Sequence, residues 1–167
     1  LTTKQISIKE NNEGICHVIK CDVSKESDVR RMFMLIQKYH GRLDLLFNNA
    51  GIGLKANTID KIEFKDWKKV IDTNISGMFL CAKYAYQLMK KQRPKGGRII
   101  NNGSISAFTP RPGTAPYTAS KHAISGLTKS IALDGREDNI LCSQIDIGNA
   151  ETAITKSFKK GVIQANG

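Results

Sequence analysis

Short apolar runs alternate with helix-length segments along this chain, and this alternation constrains the fold more than any other feature. The runs are GICHVIKCD at 14–22, LDLLF at 43–47, GRII at 97–100 and NILCSQIDI at 139–147. The segments between them are long enough to be the helical crossovers that parallel strands require. The sequence therefore predicts an α/β fold in which a parallel sheet has helices on both faces.

The helical segments carry recognisable boundaries. In SKESDVRRMFMLIQKYHG at 24–41, Ser24 is the predicted N-cap and Gly41 lies just past the helix end. A second helix is predicted over 63–92, with Asn74 at a position where strong helix formers would be expected. A third helix, rich in small residues, is predicted over 116–135. At 167 residues the chain predicts a single domain over 1–167.

Composition excludes several classes of function. The 26 Lys and Arg exceed the 15 Asp and Glu, but they are scattered without aromatic interleaving, which predicts a solvated surface and no nucleic-acid partner. The cysteines show no C-x-x-C spacing and no histidine at metal-ligand spacing, which predicts free thiols and no metal site. No segment resembles a signal peptide or a membrane span, so we expect a soluble, cytoplasmic protein without a membrane partner.

The stretch NNGSISAFTPRPGTAPYTASK, at 101–121, contains the residues with the clearest chemistry. Tyr117 and Lys121 are four residues apart at a helix start, so their side chains share one face. A nearby ammonium favours the phenolate form of a phenol, so such a pair can exchange a proton with an alcohol or a carbonyl. Ser104, at the preceding strand end, can offer a hydroxyl to the same oxygen. Alone, Y-x-x-x-K is a weak signal, because solvated tyrosine and lysine pairs are common.

The order of further motifs decides the interpretation. Asp22-Val23 at a strand end, Asn48-Asn49-Ala50-Gly51 after the next strand and Asn74 within a helix all precede that stretch. From about residue 14 to residue 152, the chain resembles the short-chain dehydrogenase/reductase family. The resemblance implies a Rossmann-type doubly wound sheet and an oxidoreductase that transfers a hydride between NAD or NADP and a small-molecule alcohol or carbonyl. It also implies a catalytic set of Asn74, Ser104, Tyr117 and Lys121, in which Asn74 supports a proton relay.

The resemblance further implies which residues contact the dinucleotide. These positions are Asp22, Val23, Asn49, Ala50, Gly51, Tyr117, Lys121, Ile147, Gly148 and Thr152. Within this set, Asp22 and Val23 are expected at the adenine ring, and Lys121 is expected to bind ribose as well as to act on Tyr117. Ile147 stands where many members of the family have a proline, but the contact there is largely made by the backbone.

Two parts of the family pattern are not found within 1–167. The phosphate-binding turn T-G-x-x-x-G-x-G and the following strand end, which selects NAD or NADP, would precede residue 1, and a substrate-covering segment would follow residue 167. We therefore expect an incomplete domain that lacks the first strand-helix-strand unit and the C-terminal segment. By itself it should bind dinucleotide weakly or not at all. A complete chain is expected to form a homodimer or homotetramer.

Two alternatives stay open, and one further motif is rejected. The chain can be a catalytically silent member of the family that acts as an interaction or dimerising module. Ser106 competes with Ser104 for the serine role, although the spacing to Tyr117 favours Ser104. GIGLKA at 51–56 fits the pattern G-x-G-x-x-A, but its surroundings predict a loop and no helix start, which argues against a phosphate-binding fingerprint.

Overall fold

The computed structural model describes residues 16–148, which contain a parallel sheet of three strands packed against helices. The strands are β1 (Leu45–Asn48), β2 (Gly97–Asn102) and β3 (Ile140–Ile145), and they lie side by side in that order. The helices are α1 (Glu26–His40), α2 (Phe64–Ile71), α3 (Gly77–Lys91) and α4 (Ala115–Asp134). Short 3₁₀ turns lie at Ile59–Lys61, Ile105–Ala107 and Arg136–Asp138. The predicted parallel sheet with helical crossovers is confirmed.

Helices α1, α3 and α4 lie on the same face of the sheet. Ile99 of β2 and Ile140 of β3 are fully buried in one cluster with Val29 of α1. Helix α4 joins this face, because the side-chain amide of Asn101 donates to Thr128 Oγ1 at 2.9 Å. The crossovers from β1 to β2 and from β2 to β3 advance in one direction, and right-handed crossovers of that kind place their helices on one face.

The opposite face of the sheet is exposed within residues 16–148. Leu45 and Phe47 of β1 are 52% and 46% exposed, and Leu141 of β3 is 51% exposed. These side chains alternate with the buried ones along each strand, as expected from the two-residue period of a strand. The described part of the chain thus shows one helical layer of the predicted doubly wound sheet.

Two local predictions near residue 24 are wrong. The predicted strand at 14–22 is not a strand over its described part, 16–22, because no neighbouring strand in residues 16–148 pairs with its backbone. Ser24 is not the N-cap of α1; Lys25 takes that position, and the Ser24 hydroxyl donates to Asp22 Oδ1 at 2.7 Å. The predicted end of the helix is confirmed, since Gly41 adopts the left-handed conformation at the C-cap with φ of 71°.

The single helix predicted over 63–92 is interrupted. A π-helical turn, Asp72–Ser76, joins α2 to α3, and Asn74 lies within it. Such turns widen the helix and leave its backbone ladder irregular. The interruption therefore falls at Asn74, the position where the sequence pattern would lead one to expect a strong helix former.

Candidate active site

Three chain segments meet at the carboxyl edge of the sheet. The strand register pairs Asn48 with Asn101 and Asn101 with Gln144, so the residues after each strand lie at one edge. Ser104 follows β2 and Asp146 follows β3 at this edge. In open α/β sheets this is the edge where ligands bind.

Lys121 lies beneath this edge, on the second turn of α4. Its side chain is buried, with the residue only 5% exposed, and Nζ donates to the backbone oxygen of Asn102 at 2.8 Å. Nζ also lies 5.4 Å from the centre of the Tyr117 ring, in cation–π geometry. Burial lowers the pKa of Lys121 to about 8, and the negative charge of Asp146 partly opposes that fall. The structure thus brings the predicted Tyr117–Lys121 pair together at the end of β2.

Ser104, which follows β2, is held by one hydrogen bond to its backbone and one to its side chain. It is 6% exposed, its backbone N–H donates to Asp146 Oδ1 at 2.9 Å, and its Oγ accepts from the backbone N–H of Ser106 at 3.1 Å. A hydroxyl that accepts in this way keeps its hydrogen for another acceptor. Ser106, the competing candidate, contributes its backbone to the orientation of Ser104.

Asn74 connects the site to the loop after β1. It is 1% exposed, and its Oδ1 accepts from Ile52 N at 2.8 Å. Its Nδ2 donates to Ile52 O and to Ser120 Oγ, each at 3.0 Å. The Ser120 hydroxyl in turn donates to Tyr117 O at 2.7 Å. The π-helical turn is therefore bound both to the β1 loop and to the turn of α4 that carries Tyr117.

The turn after β1 presents small residues to the same edge. Asn49 and Ala50 are exposed, and Asn49 Oδ1 accepts from Asn102 Nδ2 at 2.8 Å. Gly51 packs beside Asn74, since a Cβ built on it would lie 3.5 Å from Asn74 Oδ1. The other side-chain oxygen of this pair, Asn102 Oδ1, is buried and has no hydrogen-bond partner within residues 16–148. The segment 51–57 forms no helix, which agrees with its rejection as a phosphate-binding fingerprint.

The remaining cofactor predictions are more dispersed. Val23 packs on the start of α3, where a Cβ on Gly77 would lie 2.8 Å from Val23 Cγ2. Asp22 is exposed, and the hydrogen bonds from Ser24 hold the pKa of its carboxyl below the usual range. Ile147 and Gly148 follow Asp146 and are exposed, whereas Thr152 lies outside the described residues.

Two residues with a place in this site were not found from the sequence. Ser120 links Asn74 to Tyr117, and Asp146 binds the backbone of Ser104. Ser120 looked like one of many small residues of α4. Asp146 could have been noticed, because an acid directly after a buried strand lies at the ligand edge of a parallel sheet.

No group of three or more histidine, cysteine or acidic side chains in residues 16–148 could hold a metal ion. The four cysteines are free, and burial raises the pKa of Cys81 and of Cys142 to about 11. Within the same residues, no helix has the length and apolar character needed to cross a bilayer.

Comparison with known proteins gives one consistent result. The sequence model of the family described as short chain dehydrogenase matches residues 2–162. A 3beta-hydroxysteroid dehydrogenase of Mediterraneibacter gnavus is 38% identical over 151 residues, which are 90% of this chain and 54% of that protein. The chain thus spans about half the length of the curated relatives it matches.

Solved structures agree with the sequence comparison. A 3-ketoacyl-(acyl-carrier-protein) reductase of Brucella melitensis, complexed with NADH, superposes with a TM-score of 0.80 at 28% identity, over 85% of this chain and 60% of that one. A gluconate 5-dehydrogenase of Burkholderia cenocepacia, in complex with NADP and tartrate, gives 0.77 at 31% identity, over 82% and 52% of the two chains. These similarities confirm the predicted Rossmann-type fold.

Proposed function

Because this chain belongs to the short-chain dehydrogenase family, we propose that it carries the acid-base half of an oxidoreductase active site. The reaction is the transfer of a hydride between NAD(H) or NADP(H) and the carbinol or carbonyl carbon of a small molecule. The observation that carries the proposal is the buried ammonium of Lys121, which lies 5.4 Å from the Tyr117 ring and 2.8 Å from the backbone of β2 just before Ser104. The similar solved structures that hold NADH or NADP support the choice of cofactor class.

The donors at the carboxyl edge fit a nicotinamide dinucleotide. Lys121 uses one of its three N–H groups on Asn102 O, so two remain for the hydroxyls of a ribose. The exposed Asn49 and Ala50 offer a small-residue surface beside it, and Ile147 and Gly148 offer exposed backbone after β3. We assign the nicotinamide riboside to this edge, and Val23 to the adenine side. When bound, the dinucleotide supplies or accepts the hydride.

The protein's own residues move the proton. In the reducing direction, the Tyr117 hydroxyl gives its proton to the substrate oxygen as the carbon becomes tetrahedral. The Lys121 ammonium stabilises the phenolate that remains. The Ser104 hydroxyl, whose oxygen already accepts from Ser106, donates its hydrogen to the same substrate oxygen and orients it. Oxidation of an alcohol runs through the same groups in reverse.

Asn74 supports this proton transfer indirectly. Its side chain is occupied by Ile52 and Ser120, so it does not reach the substrate. The π-helical turn leaves the helical ladder irregular, so a backbone carbonyl there can accept from a water that leads to Lys121. We assign Asn74 the task of holding this turn against α4.

Substitution of Tyr117 by phenylalanine tests the assignment. The change removes only the hydroxyl, so turnover of a carbonyl substrate with NADH or NADPH should fall by at least about 100-fold, as for loss of a general acid. Cofactor affinity, measured by calorimetry, should change little. The matched control is Tyr39→Phe on α1, which is distant from the site in sequence and exposed. A Tyr117→Phe protein with most of its activity intact would remove Tyr117 from the mechanism.

We also propose that the whole protein is a homodimer or homotetramer joined through α3 and α4. A groove runs between these helices, lined by Phe79, Tyr86, Leu127 and Ile131, and Phe79 is 49% exposed. Small residues on the outer side of α4, Ala123 and Gly126, are exposed and allow close approach of a second copy. Ala85 cannot contribute to such an interface, because it is fully buried in the core. The same surface would serve the alternative function, a catalytically silent dimerising module.

A further inference from the structure

The carboxylate of Asp146 joins the elements that form the candidate site, although no motif points to it. Its Oδ1 accepts from Ser104 N at 2.9 Å and from Gln144 Nε2 at 2.6 Å. Gln144 also donates to Ser125 Oγ on α4 at 3.1 Å. One oxygen therefore connects the end of β2 to β3 and, through Gln144, to the helix that carries Tyr117.

Gly103 leaves the space that this carboxylate occupies. A Cβ built on Gly103 would overlap with Asp146 Oδ1 and would lie 2.6 Å from Gln144 Nε2. Nonbonded atoms do not approach so closely, so a side chain at position 103 would displace the carboxylate. The lack of a side chain at Gly103 is therefore what allows the Asp146 carboxylate to occupy this position.

We propose that Asp146 is the positioning residue for Ser104. Asp146 holds the backbone N–H of Ser104 and Ser106 holds its Oγ, so the hydroxyl hydrogen is directed to the remaining acceptor, the substrate oxygen. The role rests on the function proposed above, since Ser104 needs orientation only where a substrate oxygen binds. Asp146 acts through Ser104 and does not take up the substrate proton.

Asp146 also places a negative charge near the ammonium of Lys121. Among the described residues, the ionisable groups that face Lys121 are Asp146 at the end of β3 and Tyr117 on its own helix. Burial lowers the pKa of Lys121, and Asp146 opposes that fall. Removal of the Asp146 charge should therefore let Lys121 lose its proton at lower pH.

Three substitutions in the full-length protein separate these effects. Asp146→Ala removes the acceptor and the charge, so kcat should fall by about 10- to 100-fold, the range expected for a hydrogen bond to a charged group. Asp146→Asn keeps an acceptor for Ser104 N–H, so its loss should be smaller. In both variants the basic limb of the pH-rate profile should move to lower pH. Asp60→Asn, a matched change at an exposed aspartate, should alter neither.

Gly103→Ala tests the complementarity directly. The added methyl group should displace the carboxylate and reduce kcat about as much as Asp146→Ala does. In the double variant Gly103→Ala/Asp146→Ala the overlap with the carboxylate is gone, and the methyl group meets only the end of the Gln144 side chain, which no longer bonds to residue 146 and can move aside. The second substitution should therefore add little to the loss of kcat. Fully additive losses, or a basic limb that stays in place in Asp146→Asn, would overturn the inference.

Hydrogen exchange at the Ser104 amide gives a readout that needs no turnover. Exchange should be about 10- to 100-fold faster in Asp146→Ala and in Gly103→Ala than in the unmodified protein, because the charged acceptor is lost or displaced. It should be slower in Asp146→Asn than in Asp146→Ala. If the unmodified protein lacks all activity but the variants show these changes in exchange rate, the proposed function is refuted and the Ser104–Asp146 contact stands. Unchanged exchange in Asp146→Ala would refute the inference whatever the activity.

Discussion

Replacement of Lys121 by methionine should change the pH dependence of folding in a defined direction. Burial lowers the pKa of Lys121 from its ordinary value of 10.5 to about 8 in the folded protein. Below pH 8 the lysine is protonated in both states, and the folded state carries the full unfavourable term of a buried charge. Between pH 8 and 10.5 the folded protein loses this proton while the unfolded chain keeps it, so the unfolded chain binds more protons and stability rises with pH.

The magnitude follows from the shift. Each pKa unit corresponds to about 1.4 kcal/mol, so the buried charge of Lys121 destabilises the folded state by about 3 kcal/mol at neutral pH. About 2 kcal/mol of this stability is regained between pH 8 and 9.5, as the lysine loses its proton in the folded state. In Lys121→Met no charge is buried at this position, so stability does not gain this pH dependence. The difference in unfolding free energy, variant minus unmodified protein, should therefore decrease by about 2 kcal/mol between pH 7 and pH 9.5.

Urea denaturation at a series of pH values measures this difference. Cys81 and Cys142, whose pKa values are raised to about 11, lower stability above pH 9, where the unfolded thiols ionise. They do so equally in both proteins and cancel in the comparison. Lys129→Met, at an exposed position on the same helix, is the matched control and should show no such trend. If the difference in unfolding free energy between the two proteins stays constant from pH 7 to pH 9.5, Lys121 is not buried as the structure describes.

Two further predictions concern stability and assembly. Asn74→Ala should lower the free energy of unfolding by about 2–3 kcal/mol, because it leaves Ile52 N–H and C=O without their partner. A loss below about 0.5 kcal/mol, measured by urea denaturation, would contradict this prediction. Phe79→Glu should place a charge in the α3–α4 groove and dissociate the oligomer of the complete protein, which light scattering would detect as a lower molecular mass. The control Phe64→Glu, at a 76% exposed position on α2, should leave the oligomer intact. An unmodified complete protein that is already monomeric would refute the assembly.

Features that depend on neighbours along the chain could be predicted from the sequence. Helix α4 was expected over 116–135 and spans Ala115–Asp134, and Gly41 was expected at the end of α1 and is its C-cap. The spacing of four residues already places Tyr117 and Lys121 on one helix face, and their contact follows from the geometry of a single helix. Asn74 was recognisable as an interruption because its residue type weakens a helix locally.

Local signals failed where a segment has no pairing partner, or where a side chain binds a different partner from the predicted one. The run at 16–22 has the composition of a strand, but a strand forms only where another strand takes its backbone hydrogen bonds. Ser24 has the right residue type for an N-cap, but its hydroxyl binds Asp22 and the helix begins one residue later than predicted. The sequence pattern therefore indicates which segments can become strands or caps, and the surrounding structure selects among them.

The sequence by itself determined the alternation of strands and helices, and the residue types available for proton transfer at the carboxyl edge. Only the tertiary structure decided how those residues are held. Ser104 and Asp146 are 42 residues apart and meet because β2 and β3 pair in one register, which sets Asn102 beside Ile145. Asn74 and Ser120 are 46 residues apart and meet because α4 packs against the π-helical turn. Contacts of this kind depend on packing and register, which the spacing of residues along a single chain does not encode.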